Sequence, residues 1–287
     1  MLNRKIKKSM DPSSKISVTE TEVDTNYITE YVAYLDVLGF KEMVYSDNEE
    51  DKERLQAYFS IVDYFREAIK QIPEKSKIKI MAVSDSIILS MPENAERSTE
   101  QLTHFCIIIG LIQSHLAMSN VWLRGAVTIG KIAHRPKETF ILGPAYIEAY
   151  ELEGKVAKYP RVILDSSLIG ELKFATAQDL IDSVNAKINY GNWKGDILYN
   201  WCKAKRFNVD LKQDAPLFID YFQKFFERTE EDSSVKILIG HYLADNIRDK
   251  TSVYEKYRWI VDYFLSKFRM SVASKKDEEA YEFLLRL

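Results

Sequence analysis

An α+β fold, with an antiparallel sheet covered by helices on one face and a helical region after it, is what the sequence predicts. Three observations carry this. Apolar runs alternate with amphipathic stretches in a fixed order over residues 31–164. Two of those runs lie only three residues apart, as a hairpin requires. Beyond about Ala175 the strand-like runs stop and aromatic-rich helical patterns take over.

The elements follow in order. Tyr31-Val32-Ala33-Tyr34-Leu35 is a β-rich run that ends on Asp36 and turns at Gly39. From Asp51 to Gln71, the residues Leu55, Tyr58, Phe59, Val62, Phe65 and Ile69 recur at spacings of three and four, one face of an amphipathic helix. Lys77–Val83 and Ile87–Ser90 read as two strands joined through Ser84-Asp85-Ser86, with Asp85 at the tip. A helix over Ser98–Met118 and a strand over Trp122–Gly130 come next. Gly143-Pro144 opens another helix, proline being suited to a first turn, and Pro160–Leu164 is a further strand. The order β-α-β-β-α-β is the ferredoxin-like one. Leu217–Phe226, Lys236–Ile247 and Val253–Phe268 are expected to be helical. The domain reading is a flexible polar tail over 1–28, a folded domain over 29–175 and a helical region over 176–287.

Composition narrows the function classes. Of the 287 residues, 46% are hydrophobic, enough for an ordinary packed core. Lys and Arg number 40 against 43 Asp and Glu, so no general basic field points to nucleic acid. Two cysteines, Cys106 and Cys202, cannot build a disulfide framework or a four-cysteine zinc site. The four histidines are scattered, without metal-ligand spacing. The most apolar run, Phe105–Ile112, is too short to cross a bilayer, and the first 20 residues lack the apolar stretch of a signal peptide. A cytoplasmic protein, with neither membrane nor nucleic acid as partner, is expected.

Two carboxylates stand out. Asp36 ends the first strand and Asp85 tips the hairpin; in a β-α-β-β layout those points meet at one end of the sheet. Carboxylates placed together repel unless cations sit between them. Divalent metals held there neutralise a triphosphate and activate an attacking hydroxyl. Oxygen donors favour Mg²⁺ or Mn²⁺. The backbone N–H groups of Gly39 and Phe40, at the turn after Asp36, suit phosphate oxygens, though an ordinary strand-to-helix turn explains the pattern equally well. Tyr34, two residues before Asp36, shares its side of the strand and suits either the pocket or the core.

Asp36-Val37-Leu38-Gly39-Phe40 resembles the Asp–apolar–x–Gly–Phe motif of class III nucleotidyl cyclases. Ser84-Asp85 stands where that family has Gly-Asp, Leu123–Gly130 resembles its Arg-x-Gly strand, and Gly143–Glu153 resembles its following Gly-led helix. The resemblance implies that Asp36 and Asp85 hold two Mn²⁺ or Mg²⁺ ions, with the Val37 carbonyl as a further ligand. It also places Arg124 against phosphoryl charge. The positions where the family reads a purine fall on Met81 and Phe140, both apolar, and those of its transition-state Asn and Arg fall on Ile147 and Glu151. Gly143–Glu153, Tyr159-Pro160-Arg161 and Lys256-Tyr257-Arg258-Trp259 resemble the pyrimidine cyclases of bacterial Pycsar anti-phage defence. That branch implies a homodimer with shared active sites that turns UTP or CTP into cyclic UMP or cyclic CMP, read by a separate effector. The alternatives are a catalytically silent cyclase-like domain that binds nucleotide or a partner, and a purine cyclase. Arg161 is expected to be solvated at the start of an edge strand, and the row Tyr221, Phe222, Phe225 and Phe226 to be core or a docking surface.

Overall fold

The computed structural model describes residues 27–71, 77–134, 141–186, 193, 195–199, 217–226, 230–249, 254–271 and 275–286. The expected tail thus lies outside the described residues, apart from Tyr27 and Ile28. In chain order the elements are β1 (Ile28–Val37), α1 (Phe40–Tyr45), α2 (Glu49–Lys70), β2 (Lys79–Val83), β3 (Ser86–Pro92), α3 (Ser98–Ala117), β4 (Leu123–His134), β5 (Ile141–Leu142), α4 (Pro144–Lys155) and β6 (Val162–Leu164). There follow α5 (Ser167–Glu171), α6 (Ala177–Ala186), β7 (Leu198–Tyr199), β8 (Phe218–Ile219), a 3-10 helix (Tyr221–Phe226), α7 (Glu230–Asp249), α8 (Tyr254–Ser271) and α9 (Lys275–Leu285).

The architecture is α+β. The first four long strands pair in the order β2-β3-β1-β4, every neighbour antiparallel. That order, reached through β-α-β-β-α-β, is the ferredoxin-like core of the cyclase type, with helices packed on the sheet and a largely helical C-terminal region. β1 sits at its centre and is buried on both faces. Tyr31, Ala33, Leu35 and Val37 point into one apolar cluster, Val32 and Tyr34 into another, as the two-residue period of a strand dictates.

The larger cluster lies under α2 and α3. In α2, Tyr58, Val62, Phe65 and Ile69 are buried, and Asn48 caps the first turn by accepting from the Glu50 N–H at 3.0 Å. Phe59 departs from the expected face: it is 54% exposed. α3 is apolar nearly all round because it is wedged between α2 and the later elements. The helices are not confined to one face. α4 lies on the opposite side of the sheet, where Ala145 and Ala149 pack on Val32, Tyr34 and Ile132.

The C-terminal region departs from a purely helical one. β6 pairs parallel with β4, then β8 and β7 extend the same sheet. Two-residue strands are too short to show a period in sequence, and Leu217–Phe226, expected as a helix, is instead β8 followed by the 3-10 helix. Tyr221, Phe222, Phe225 and Phe226 are all buried, in a cluster with Trp122, Phe218, Trp259, Tyr263 and Phe264. Arg161 is 1% exposed rather than solvated, and its guanidinium lies 5.0 Å from the Trp259 ring and 5.5 Å from those of Tyr159 and Phe218. A weakly hydrated, planar cation suits such a setting. Within it, Lys267 Nζ bonds Asp220 Oδ2 at 2.5 Å, both groups buried, which ties α8 to the end of β8. Among the described residues no helix is long and apolar enough to cross a membrane.

Candidate functional site

The sheet brings Asp36 and Asp85 together. Asp36 pairs with Ser86, and the Val37 N–H donates to the Asp85 carbonyl at 3.0 Å, so the hairpin tip sits beside the end of β1. The hairpin turn has Ser84 at φ +57, a conformation that usually calls for glycine. Tyr58 of α2 helps to hold it, its hydroxyl donating to the Ser84 carbonyl at 3.0 Å. Burial and the two aspartates together push the Tyr58 hydroxyl far above its usual range. After β1 the chain turns through Gly39, exposed and left-handed at φ +74, where a side chain would add roughly 1–2 kcal/mol of strain. Phe40 is packed edge-on to Tyr58, with ring centroids 5.7 Å apart.

Asp36 is half-buried, and its carboxyl titrates above the ordinary range. Burial is the main cause; Arg124 opposes it and Asp85 adds to it. Asp36 and Arg124 are cross-strand partners, and the Arg124 Nε donates to Asp36 Oδ2 at 3.2 Å. The same nitrogen lies 2.5 Å from Glu153 Oε1 at the end of α4. That second contact is an ion pair by distance but lacks hydrogen-bond alignment, since Oε1 has no hydrogen-bond partner. Burial therefore outweighs Arg124 and pushes the Glu153 carboxyl up to about 7. Lys256 of α8 lies near enough to act the other way on both Asp36 and Glu153.

Tyr34 shares the face of Asp36. Its hydroxyl and that of Ser86 are 2.6 Å apart, and its ring packs edge-on to Tyr146 and Tyr150 of α4 at 6.1 and 5.3 Å. Burial raises its hydroxyl's pKa. Met81 pairs with Ile88, which pairs with Tyr34, on the face that Asp36 shares. It lines a cavity of about 180 Å³ with Arg66, Lys79, Ile80, Ala82, Ile88, Ser90, His134 and Ile141. Phe140 lies outside the described residues. On α4, Ile147 is 53% exposed, and Glu151 is exposed and tied to Lys155 at 2.7 Å.

Sequence reasoning assigned no role to Glu153 or Lys256. Both stood inside quoted motifs, but only the fold shows that the end of α4 and the start of α8 converge on Arg124.

The site's fit to a cation follows from its donors. Among the described residues no group of three or more His, Cys, Asp and Glu is placed to hold a metal ion. Asp36 and Asp85 supply two hard carboxylates, which suits Mg²⁺ or Mn²⁺, ions commonly held by one or two carboxylates plus substrate phosphates. The pair fits a cation that arrives with its nucleotide better than a resident one.

No family model and no curated protein matches the chain. Among solved structures it is similar to the adenylyl cyclase CyaB from P. aeruginosa, at 12% identity over 67% of this chain and 92% of that one, with a TM-score of 0.39. It is similar to the guanylyl cyclase Cya2, at 12% identity over 68% and 91%, with a TM-score of 0.34. A class III adenylyl cyclase-like ATP-binding protein from Pseudomonas aeruginosa aligns over 91% of this chain and 71% of that one, at 10% identity and a TM-score of 0.42.

These findings correct the expected place among pyrimidine cyclases and, with it, the conversion of UTP or CTP to cyclic UMP or CMP in anti-phage defence. The similar structures are described as adenylyl and guanylyl cyclases and an ATP-binding protein. No metal-holding cluster among the described residues supports the two-metal lyase reading. The physical reason is local. Met81, one of the two apolar positions set against a purine, shares its cavity with the polar side chains of Lys79 and Ser90.

Proposed function

We propose that this chain is a cyclase-like domain that binds a ribonucleoside triphosphate together with Mg²⁺ or Mn²⁺ and does not turn it over. The observation that carries the reading is the juxtaposition of Asp36 and Asp85 at one end of the sheet, beside an Arg124 that already donates to Asp36. Asp36, Asp85 and the Val37 carbonyl would hold the cation, which neutralises phosphate charge. The turn at Gly39 and Phe40 supplies backbone N–H groups beside it. Silence follows from charge. Arg124 already donates to Asp36, and the α4 positions that would carry stabilising side chains hold an exposed Ile147 and a Glu151 paired to Lys155. Developing phosphoryl charge thus meets no unengaged cation from α4. As part of the same proposal, the protein is cytoplasmic and pairs with a second copy of itself.

The two aspartates also meet the carboxylate demand of a purine cyclase, and one experiment separates the readings. Purified protein is titrated calorimetrically with ATP and GTP in Mn²⁺, and the same mixtures are assayed chromatographically for cyclic product. Binding without product is expected. Cyclic product abolished by Asp36→Ala establishes the cyclase instead, and absence of binding refutes both.

A further inference from the structure

The cavity around Met81 lies along β2 and draws on both faces of the sheet: Lys79, Met81, Ile88 and Ser90 share the face of Asp36, while Ile80 and Ala82 belong to the other. Along β1 the residues Asp36, Tyr34 and Val32 point to the first of these faces, and their partners on β3 are Ser86, Ile88 and Ser90. Lys79 and Met81 of β2 pair with Ser90 and Ile88 and so share it. Ser90 lies four residues along the strand from Ser86, about 14 Å. That is of the order of the distance from the outer phosphate of a nucleoside triphosphate to the edge of its base. α4 covers β1 and β4 on this face.

The cavity contains an unmet demand. Ser90 lines it, is 2% exposed, and its hydroxyl oxygen has no hydrogen-bond partner. An unsatisfied buried hydroxyl costs on the order of 1–3 kcal/mol, so a ligand that supplies a partner recovers that cost. The side chains flanking Ser90 are the ones able to move aside: Lys79 directly across the strand pair, and Met81, a thioether with several rotatable bonds. His134 also lines the cavity, but its Nε2 is held at 2.9 Å by Glu30 Oε2. Ile88, Ile141 and Met81 provide apolar walls suited to a flat ring.

We propose that Ser90 and Lys79 read the nucleobase and select guanine over adenine, an inference that rests on nucleotide binding at Asp36 and Asp85. These are not the positions the family resemblance nominates. Lys79 is a donor without acceptor capacity, as is Arg66 at the cavity's rim, and a hydroxyl donates as readily as it accepts. Guanine offers two adjacent acceptors, O6 and N7, to such a wall. Adenine places an amino donor beside N7, leaving a cation facing a donor.

The test is calorimetry in Mn²⁺ with three probes: GTP, ATP and inorganic tripolyphosphate. Wild type is expected to bind GTP about tenfold more tightly than ATP. Ser90→Ala and Lys79→Ala each lower GTP affinity by about three- to tenfold, the span of one hydrogen bond, and leave tripolyphosphate affinity within twofold. Ser90→Leu fills the cavity and erases the difference between GTP and ATP. Equal wild-type affinities for the two nucleotides, or unchanged GTP affinity in both alanine variants, overturns the base assignment while leaving the phosphate site intact. Failure of every probe to bind, or binding indifferent to Asp36→Asn, removes the underlying reading and this one together. Ser90→Ala changes a single hydroxyl, so the result stands even where the leucine variant fails to fold.

Discussion

Replacing Glu153 with glutamine tests the electrostatics of the site without touching the aspartates. The Glu153 carboxyl is 5% exposed and is pushed from 4.5 up to about 7, mainly by burial. The folded state therefore keeps its proton to higher pH than the unfolded chain does. Its ionisation costs the folded state about 3 kcal/mol in all. Stability contributed by this group is full below about pH 4.5, falls as the pH rises towards 7, and is flat above that. Between pH 5 and 8 the wild type should lose roughly 2–3 kcal/mol that Glu153→Gln does not lose, because glutamine mimics the protonated form. Other groups titrate over the same range, Asp36 among them, so the difference between the two proteins is the useful quantity. Urea unfolding at pH 5, 6, 7 and 8 measures it. A difference independent of pH would show that Arg124 holds Glu153 ionised throughout, and the argument that burial outweighs the ion pair would fail.

Further outcomes follow from the same structure. Gly125→Ala places a methyl 2.4 Å from the Tyr34 carbonyl oxygen and 2.7 Å from Leu35 Cδ2. The β1–β4 pairing must shift, and a melting temperature lower by roughly 10 °C or a collapse in soluble yield is expected. Asp36→Asn and Asp85→Asn should each weaken Mn²⁺-dependent nucleotide binding at least about tenfold while leaving the melting temperature within a few degrees, read by calorimetry and thermal scans. Trp259→Ala removes a buried ring that packs on Tyr159, Phe218 and Arg161. A loss of about 3–5 kcal/mol in urea unfolding is expected, with the near-ultraviolet dichroism of the aromatic cluster reduced.

Much of the core was legible because its signals are local. The run Tyr31–Leu35, the hairpin around Asp85 and the three-and-four spacing through Tyr58, Val62 and Phe65 each show in a short window, and together they define the strand order. Asp36 and Asp85 were legible for the same reason, each standing where a strand ends. Arg161 was misread because its partners, Phe218 and Trp259, arrive from 57 and 98 residues away, and no window joins them. Glu153 and Lys256 failed in the same way: a carboxylate and an ammonium acquire meaning here only when α4 and α8 close on Arg124. The strands β7 and β8 span two residues each, below any period that a pattern can reveal.

The two ends of the sheet differ in what they offer another polypeptide. At one margin, among the described residues, β7 presents Leu198 and Tyr199. At the other, β2 leaves five residues with an open hydrogen-bonding side, among the described residues, and carries Lys79 on it. A lysine on a brief outer strand discourages chance edge-to-edge pairing. Among the described residues, β2 is therefore the longer margin at which an added strand could pair, and it lies beside the cavity lined by Ser90.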